Sequence, residues 1–155
     1  MGNPEGASGL IPSAVGGTPL KRSEKGGDLW RQAIERARDA QRAGRLRGIL
    51  WHQGEADGLE RETAETYAER LAQMVKDLRQ ELGDPQLPFV AGKLGEFLPA
   101  NRRDGQPAYW PLVNEQIATL SLLVNNTAVV ESTGLSHLGD SVHFDAASLR
   151  IFGKR

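Results

Sequence analysis

Short apolar runs separated by longer stretches of helical periodicity constrain this chain most. Gly9-Leu10-Ile11-Pro12-Ser13-Ala14-Val15, Leu46 to Trp51, Pro88-Phe89-Val90-Ala91-Gly92 and Ala128-Val129-Val130 each have strand length, and the first three run into Gly-rich or polar punctuation. Between them the period changes. From Asp28, a candidate N-cap, Leu29, Trp30, Ala33, Ile34 and Ala37 recur at helical spacing until Gly44. Glu62 to Leu82 carries Tyr67, Leu71, Met74, Val75, Leu78 and Leu82 on one stripe, with Gly83-Asp84-Pro85 as its stop. Tyr109 to Leu123 predicts a third helix, and Asp145, followed by Ala146, Ala147 and Ser148, caps a fourth that runs toward Arg155. Strand, helix, four times over, predicts right-handed crossovers and a parallel sheet covered by helices on both faces, an α/β/α architecture.

Composition narrows the function classes. At 155 residues the chain has room for one domain, taken here as residues 1–155. A net charge of −1 gives no polyanion-binding or membrane-binding bias, so neither nucleic acid nor a membrane is an expected partner. The sequence has no cysteine, which removes disulfides, thiolate metal sites and a Cys nucleophile. The N-terminal stretch lacks the basic and apolar regions of a signal peptide, and no run approaches about 20 apolar residues, so the chain as given reads as cytoplasmic. That leaves the compartment of any longer protein unknown, and oligomeric state is equally unreadable.

Ligands of open parallel sheets bind beyond the carboxyl ends of the strands. That edge is expected to collect Gly16, Gly17 and Thr18, then His52, Gln53, Glu55 and Asp57, then Gly95 and Glu96, then the stretch from Ser132 to His143. In Gly139-Asp140-Ser141-Val142-His143-Phe144-Asp145, an Asp three residues before a His can set its carboxylate on one imidazole nitrogen and leave the other as a general base. Plainer roles compete at each position. Asp140 could be a cap or a surface ion pair, His137 a loop histidine, His52 a ring packed under the sheet edge, Gly16-Gly17 a simple turn, and Glu55 and Asp57 caps of the next helix. The three histidines lack His-x-His or His-x-x-x-His spacing, so no metal is expected.

Taken in order, Gly9 to Thr18, Gly48-Ile49-Leu50-Trp51-His52-Gln53-Gly54-Glu55-Ala56-Asp57, Leu87 to Gly92 and Gly139 to Asp145 resemble the sialate O-acetylesterase-like domain, carbohydrate esterase family 6, of the SGNH hydrolase superfamily. The resemblance implies a flavodoxin-like three-layer sheet and a serine esterase without cofactor that removes acetyl groups from sugars. It also assigns roles. His143 is the implied general base and Asp140 its orienting acid. Gln53 and a backbone N–H of Gly17 are the implied oxyanion donors, each donor worth about 10² to 10³ in turnover. Glu55, Asp57 and His52 are implied to support the loop or meet the sugar.

The family's nucleophile lies in a Gly-Gln-Ser-Asn type segment at the end of its first strand, ahead of the equivalent of Gly9, and these 155 residues contain no such segment. Ser8, Ser13 and Ser141 do not occupy that strand-to-helix context. The expectation is therefore a partial domain, truncated at the N-terminus, with the first strand and its nucleophile missing and an open sheet edge left behind. Two rivals follow from the residues: a remnant fold that binds glycan without cleaving it, and a metal-dependent hydrolase built on His52, Glu55 and His143.

Overall fold

A computed structural model describes residues 9–155. Strands β1 (Ile49–Trp51), β2 (Phe89–Gly92) and β3 (Thr127–Val130) form one sheet in that order, every pair parallel. Its helices are α1 (Asp28–Gln41), α2 (Arg61–Glu65), α3 (Tyr67–Leu82), α4 (Trp110–Ala118), α5 (Leu120–Leu123) and α6 (Ala146–Phe152). Short 3-10 turns occupy Leu20–Arg22 and Asp57–Leu59.

Register fixes what each face of the sheet meets. Ile49 pairs with Phe89 and Phe89 with Thr127; two residues on, Trp51, Ala91 and Val129 align. Side chains alternate across a strand, so these two rows share a face. That face carries the core: Phe89 and Ala91 join Tyr67, Leu71, Met74 and Val75 of α3, Val113 and Ile117 of α4, Leu120 of α5, and Trp30 and Ile34 of α1. At about 25 cal/mol per Å² of apolar surface removed from water, this one-sided layer supplies most of the driving force for folding.

The opposite face is less covered than the alternating pattern predicts. It carries the row Leu50, Val90, Ala128, and Leu50 is 76% exposed. Only α6 reaches it. A Cβ on Gly92 would lie 2.5 Å from the Phe152 ring, so the missing side chain is what admits α6 at the carboxyl end of β2. The three layers are present but unequal.

Four expectations change in detail. Gly9 to Val15 is not a strand: Pro12 has no N–H to give a ladder, its carbonyl instead accepts from Arg36 Nη1 at 2.6 Å, and Leu10 is 86% exposed. Asp28 is the first residue of α1 rather than its cap, and its carboxylate binds Arg22 Nε and Nη2, which holds it down at about 2. The helices expected over 62–82 and 109–123 each break once. At both breaks a threonine hydroxyl bonds back to a carbonyl of the preceding turn, Thr66 to Glu62 O at 2.9 Å and Thr119 to Gln116 O at 2.8 Å. Such back-bonding competes with the helical ladder. Ser8, one of the serines weighed as a nucleophile, lies outside the described residues.

Beyond its stop at Gly83, whose φ is +72°, α3 is tied to the sheet by Arg79. The buried guanidinium donates to Leu87 O, Asn125 O and Asn126 O, which joins the end of α3 to the entrances of β2 and β3. The strands thereby deliver their carboxyl ends together.

Candidate active site

At the end of β1 the chain turns polar around Asp57. Its side chain has no exposed surface, and Oδ2 accepts from Leu20 N and Gln53 Nε2, each at 2.8 Å, while Oδ1 accepts from Arg70 Nη1 at 3.0 Å. Arg70 also donates to Glu24. A buried carboxylate persists only when charge and lone pairs are answered in this way. Asp57 therefore ties the loop after β1 to Leu20 and α3.

Gln53 belongs to the same network. Nε2 donates to Thr18 O at 2.9 Å as well as to Asp57, and Oε1 lies 2.9 Å from the Tyr67 hydroxyl. These partners fix which end of the amide is nitrogen. Tyr67 accepts from Trp51 Nε1, and burial pushes its phenol well above the ordinary range, so it stays a neutral donor. Both amide hydrogens of Gln53 are thus engaged, and donation to an oxyanion requires release of the bond to Thr18 O. That bond also draws the Gly16-Gly17 turn to the end of β1. The turn is closed by Thr18 Oγ1 on Val15 O at 2.8 Å, and Gly17 has φ +68°.

Gly54 and Gly58 bracket the acids for a packing reason. A Cβ on Gly54 would sit 2.7 Å from Val113 Cγ1, and one on Gly58 would sit 2.3 Å from Trp110 Cδ1. Both glycines let α4 close directly onto the loop. Trp110 Nε1 then donates to Glu55 O, and the Glu55 carboxylate accepts from Gly54 N.

The second cluster comes from the loop after β3. Asp140 Oδ2 lies 2.6 Å from His143 Nδ1, and Oδ1 accepts from the backbone N–H groups of Val142 and His143, both at 2.9 Å. The bond from His143, helped by those two amides, holds the Asp140 carboxyl far below the usual carboxylate range. Beside this carboxylate, the neutral form of the His143 ring carries its proton on Nδ1 and its lone pair on Nε2. The His143 side chain is 73% exposed. Asp145 caps α6 by accepting from Ser148 N at 2.7 Å.

An aromatic seam joins the two clusters. His52, next to Gln53, packs 5.5 Å from Phe144, next to His143, and 5.5 Å from Phe152; Phe144 in turn meets Phe97 at 5.0 Å. Apolar surroundings push the His52 pKa below its ordinary value, against a smaller opposing pull from Glu55. The His52 ring packs against Phe144 and Phe152 while the residue keeps exposed surface. Sequence periodicity put Tyr67 on the buried stripe of α3 without a part in this network, and it did not single out Arg70, three residues further along the same helix.

Ser13 and Ser141 make no side-chain bond to His143, and among the described residues no serine hydroxyl does so. No three His, Asp or Glu side chains among the described residues are grouped as a metal would require.

A family model described as carbohydrate esterase, sialic acid-specific acetylesterase, matches residues 1–155. The chain belongs to that family. A probable carbohydrate esterase of Arabidopsis thaliana is 31% identical over 136 residues, or 87% of this chain and 48% of the relative. The chain thus spans about half the length of the curated relative it matches. A crystal structure of an Arabidopsis thaliana protein superimposes with a TM-score of 0.76 at 27% identity, over 89% of this chain and 54% of the other. A carbohydrate acetylesterase from Xanthomonas citri gives a TM-score of 0.57 at 25% identity, over 71% and 24%. With a parallel sheet flanked by helices, the chain has the SGNH-like hydrolase fold expected from its motifs.

Proposed function

We propose that this chain is the base-and-acid portion of a carbohydrate O-acetylesterase that works by a Ser-His-Asp mechanism. The observation that carries the proposal is the 2.6 Å contact between Asp140 Oδ2 and Nδ1 of the largely exposed His143 side chain. In this mechanism Nε2 takes the proton of a serine hydroxyl as its oxygen attacks the acetyl carbonyl, and Asp140 stabilises the imidazolium that results. His143 then gives that proton to the departing sugar oxygen. A water, deprotonated in the same way, releases acetate and regenerates the serine. The Gly17 N–H and the Gln53 amide are the proposed donors to the oxyanion, Gln53 after exchanging its bond to Thr18 O.

The nucleophile is proposed to come from a Gly-Gln-Ser-Asn type segment that these 155 residues do not contain. Without it, the chain is expected to retain at most the residual of about 10³ to 10⁴ over water that an oxyanion hole and binding provide. A chromogenic acetyl ester tests this. The chain as given should turn over slowly, a form carrying an added Gly-Gln-Ser-Asn strand should be active, and His143→Ala should abolish the gain. Robust turnover by the unextended chain, lost in His143→Ala, would refute the external nucleophile.

A second reading draws on the lack of a serine partner for His143 among the described residues: a fold that holds an acetylated glycan without cleaving it. In that case His143→Ala in the extended form leaves both glycan affinity and the ester background unchanged.

A further inference from the structure

The loop that presents Asp140 and His143 is built around a second imidazole. His137 Nδ1 accepts from the backbone N–H of Gly139 at 3.0 Å and from that of Ser141 at 3.1 Å. Its ring packs against Phe97, with centroids 5.2 Å apart, and its backbone bridges to Phe144. The turn it closes is unusual in its backbone. Ser141 sits at φ +58°, a region that L-residues other than Gly, Asn and Asp seldom occupy, and Gly139 at φ +114°. This conformation is what sends the next two N–H groups, those of Val142 and His143, onto Asp140 Oδ1.

We propose that His137 is a positioning residue for the Asp140–His143 pair, acting as a neutral imidazole in the tautomer opposite to that of His143. Two N–H donors converge on one ring nitrogen, so Nδ1 of His137 must carry a lone pair and its proton must sit on Nε2. His143 is the reverse, with the proton on Nδ1 and the lone pair on Nε2. The tautomer of His143 thus depends on that of His137. If the Gly139 and Ser141 amides lose their acceptor, Ser141 has no tie in the left-handed region, and the Asp140 carboxylate loses the backbone donors that hold it under His143 Nδ1.

The proposal rests on His143 as the general base, but its test reads the loop and does not need turnover. Two-bond proton–nitrogen spectra of the ¹⁵N-histidine-labelled chain, taken at a pH where its histidines are neutral, report the tautomer of each ring. His137 should be protonated on Nε2 and His143 on Nδ1. Amide exchange at Gly139 and Ser141 should quicken about fivefold or more in His137→Leu, and the His143 Nδ1–H signal should broaden or vanish. His137→Asn, whose amide oxygen can stand in for Nδ1, should restore both. A wild-type His137 protonated on Nδ1 overturns the proposal even if neither variant folds. So does a folded His137→Leu chain in which the His143 signal and both exchange rates are unchanged.

Discussion

Asp57 shows how much a single buried side chain sets in this fold. It answers one backbone amide near the N-terminus, one amide of the active-site loop and one guanidinium of α3, with no exposed side-chain surface. Truncation leaves Arg70 and two N–H donors without their acceptor, and breaking such a buried pair is costly. Asp57→Ala is expected to lose about 2–4 kcal/mol in urea denaturation, with Gln53 freed to reorient. A loss under about 0.5 kcal/mol would mean that the network is no more than a surface ion pair. Asp140 is the contrast. Its carboxylate is held ionised by His143 and two amides at an exposed site, where it fixes the orientation of the His143 ring more than the stability of the fold.

Among the elements, α6 has the least to hold it, and it follows directly on the dyad loop. Its anchors are the Asp145 cap, the Ser148 hydroxyl that accepts from Ser136 N, and Phe152 set over Gly92 and beside His52. Gly92→Ala places a methyl group where the Phe152 ring lies, and overpacking of this kind typically costs about 1–3 kcal/mol. The loss should be visible in thermal melts, and α6 amides should exchange faster than those of α3. If α6 keeps its protection in Gly92→Ala, the helix is held by something other than this contact. The breaks at Thr66 and Thr119 are a finer matter of local chemistry. Periodicity continues straight through both, because the stripe of buried residues needs only approximate helical phase, while one hydroxyl per break redirects the ladder.

Across the whole molecule the sheet is packed on one face. Phe89 is buried in the core under the helices, whereas Leu50, one register position further along the sheet and on the other face, is 76% exposed. Phe89→Ala should cost about 3–5 kcal/mol, and Leu50→Ser should stay within about 0.5 kcal/mol. Equal losses in denaturant titrations would show that the second face is covered in solution. Among the described residues, α3 and α4 thus reach the candidate site from one side of the sheet and α6 from the other.

The order of strands and helices from α1 onward, the parallel sheet, the stripe of α3, the Asp145 cap and the pairing of Asp140 with His143 were legible in the sequence, because each follows from local pattern and spacing. Tertiary structure decided the rest. Gly9 to Val15 is apolar enough for a strand, but a strand exists only where a neighbour offers a ladder, and Arg36 took the Pro12 carbonyl instead. Gln53 and Asp57 sit four apart in a polar loop, and nothing in that spacing says that one would be buried under the other, bound to Leu20 and Arg70 from distant parts of the chain. The tautomer of His137 likewise depends on two amides whose direction comes from the folded turn. Pattern sets which groups arrive at the sheet edge; long-range hydrogen bonds set which of them remain available for chemistry.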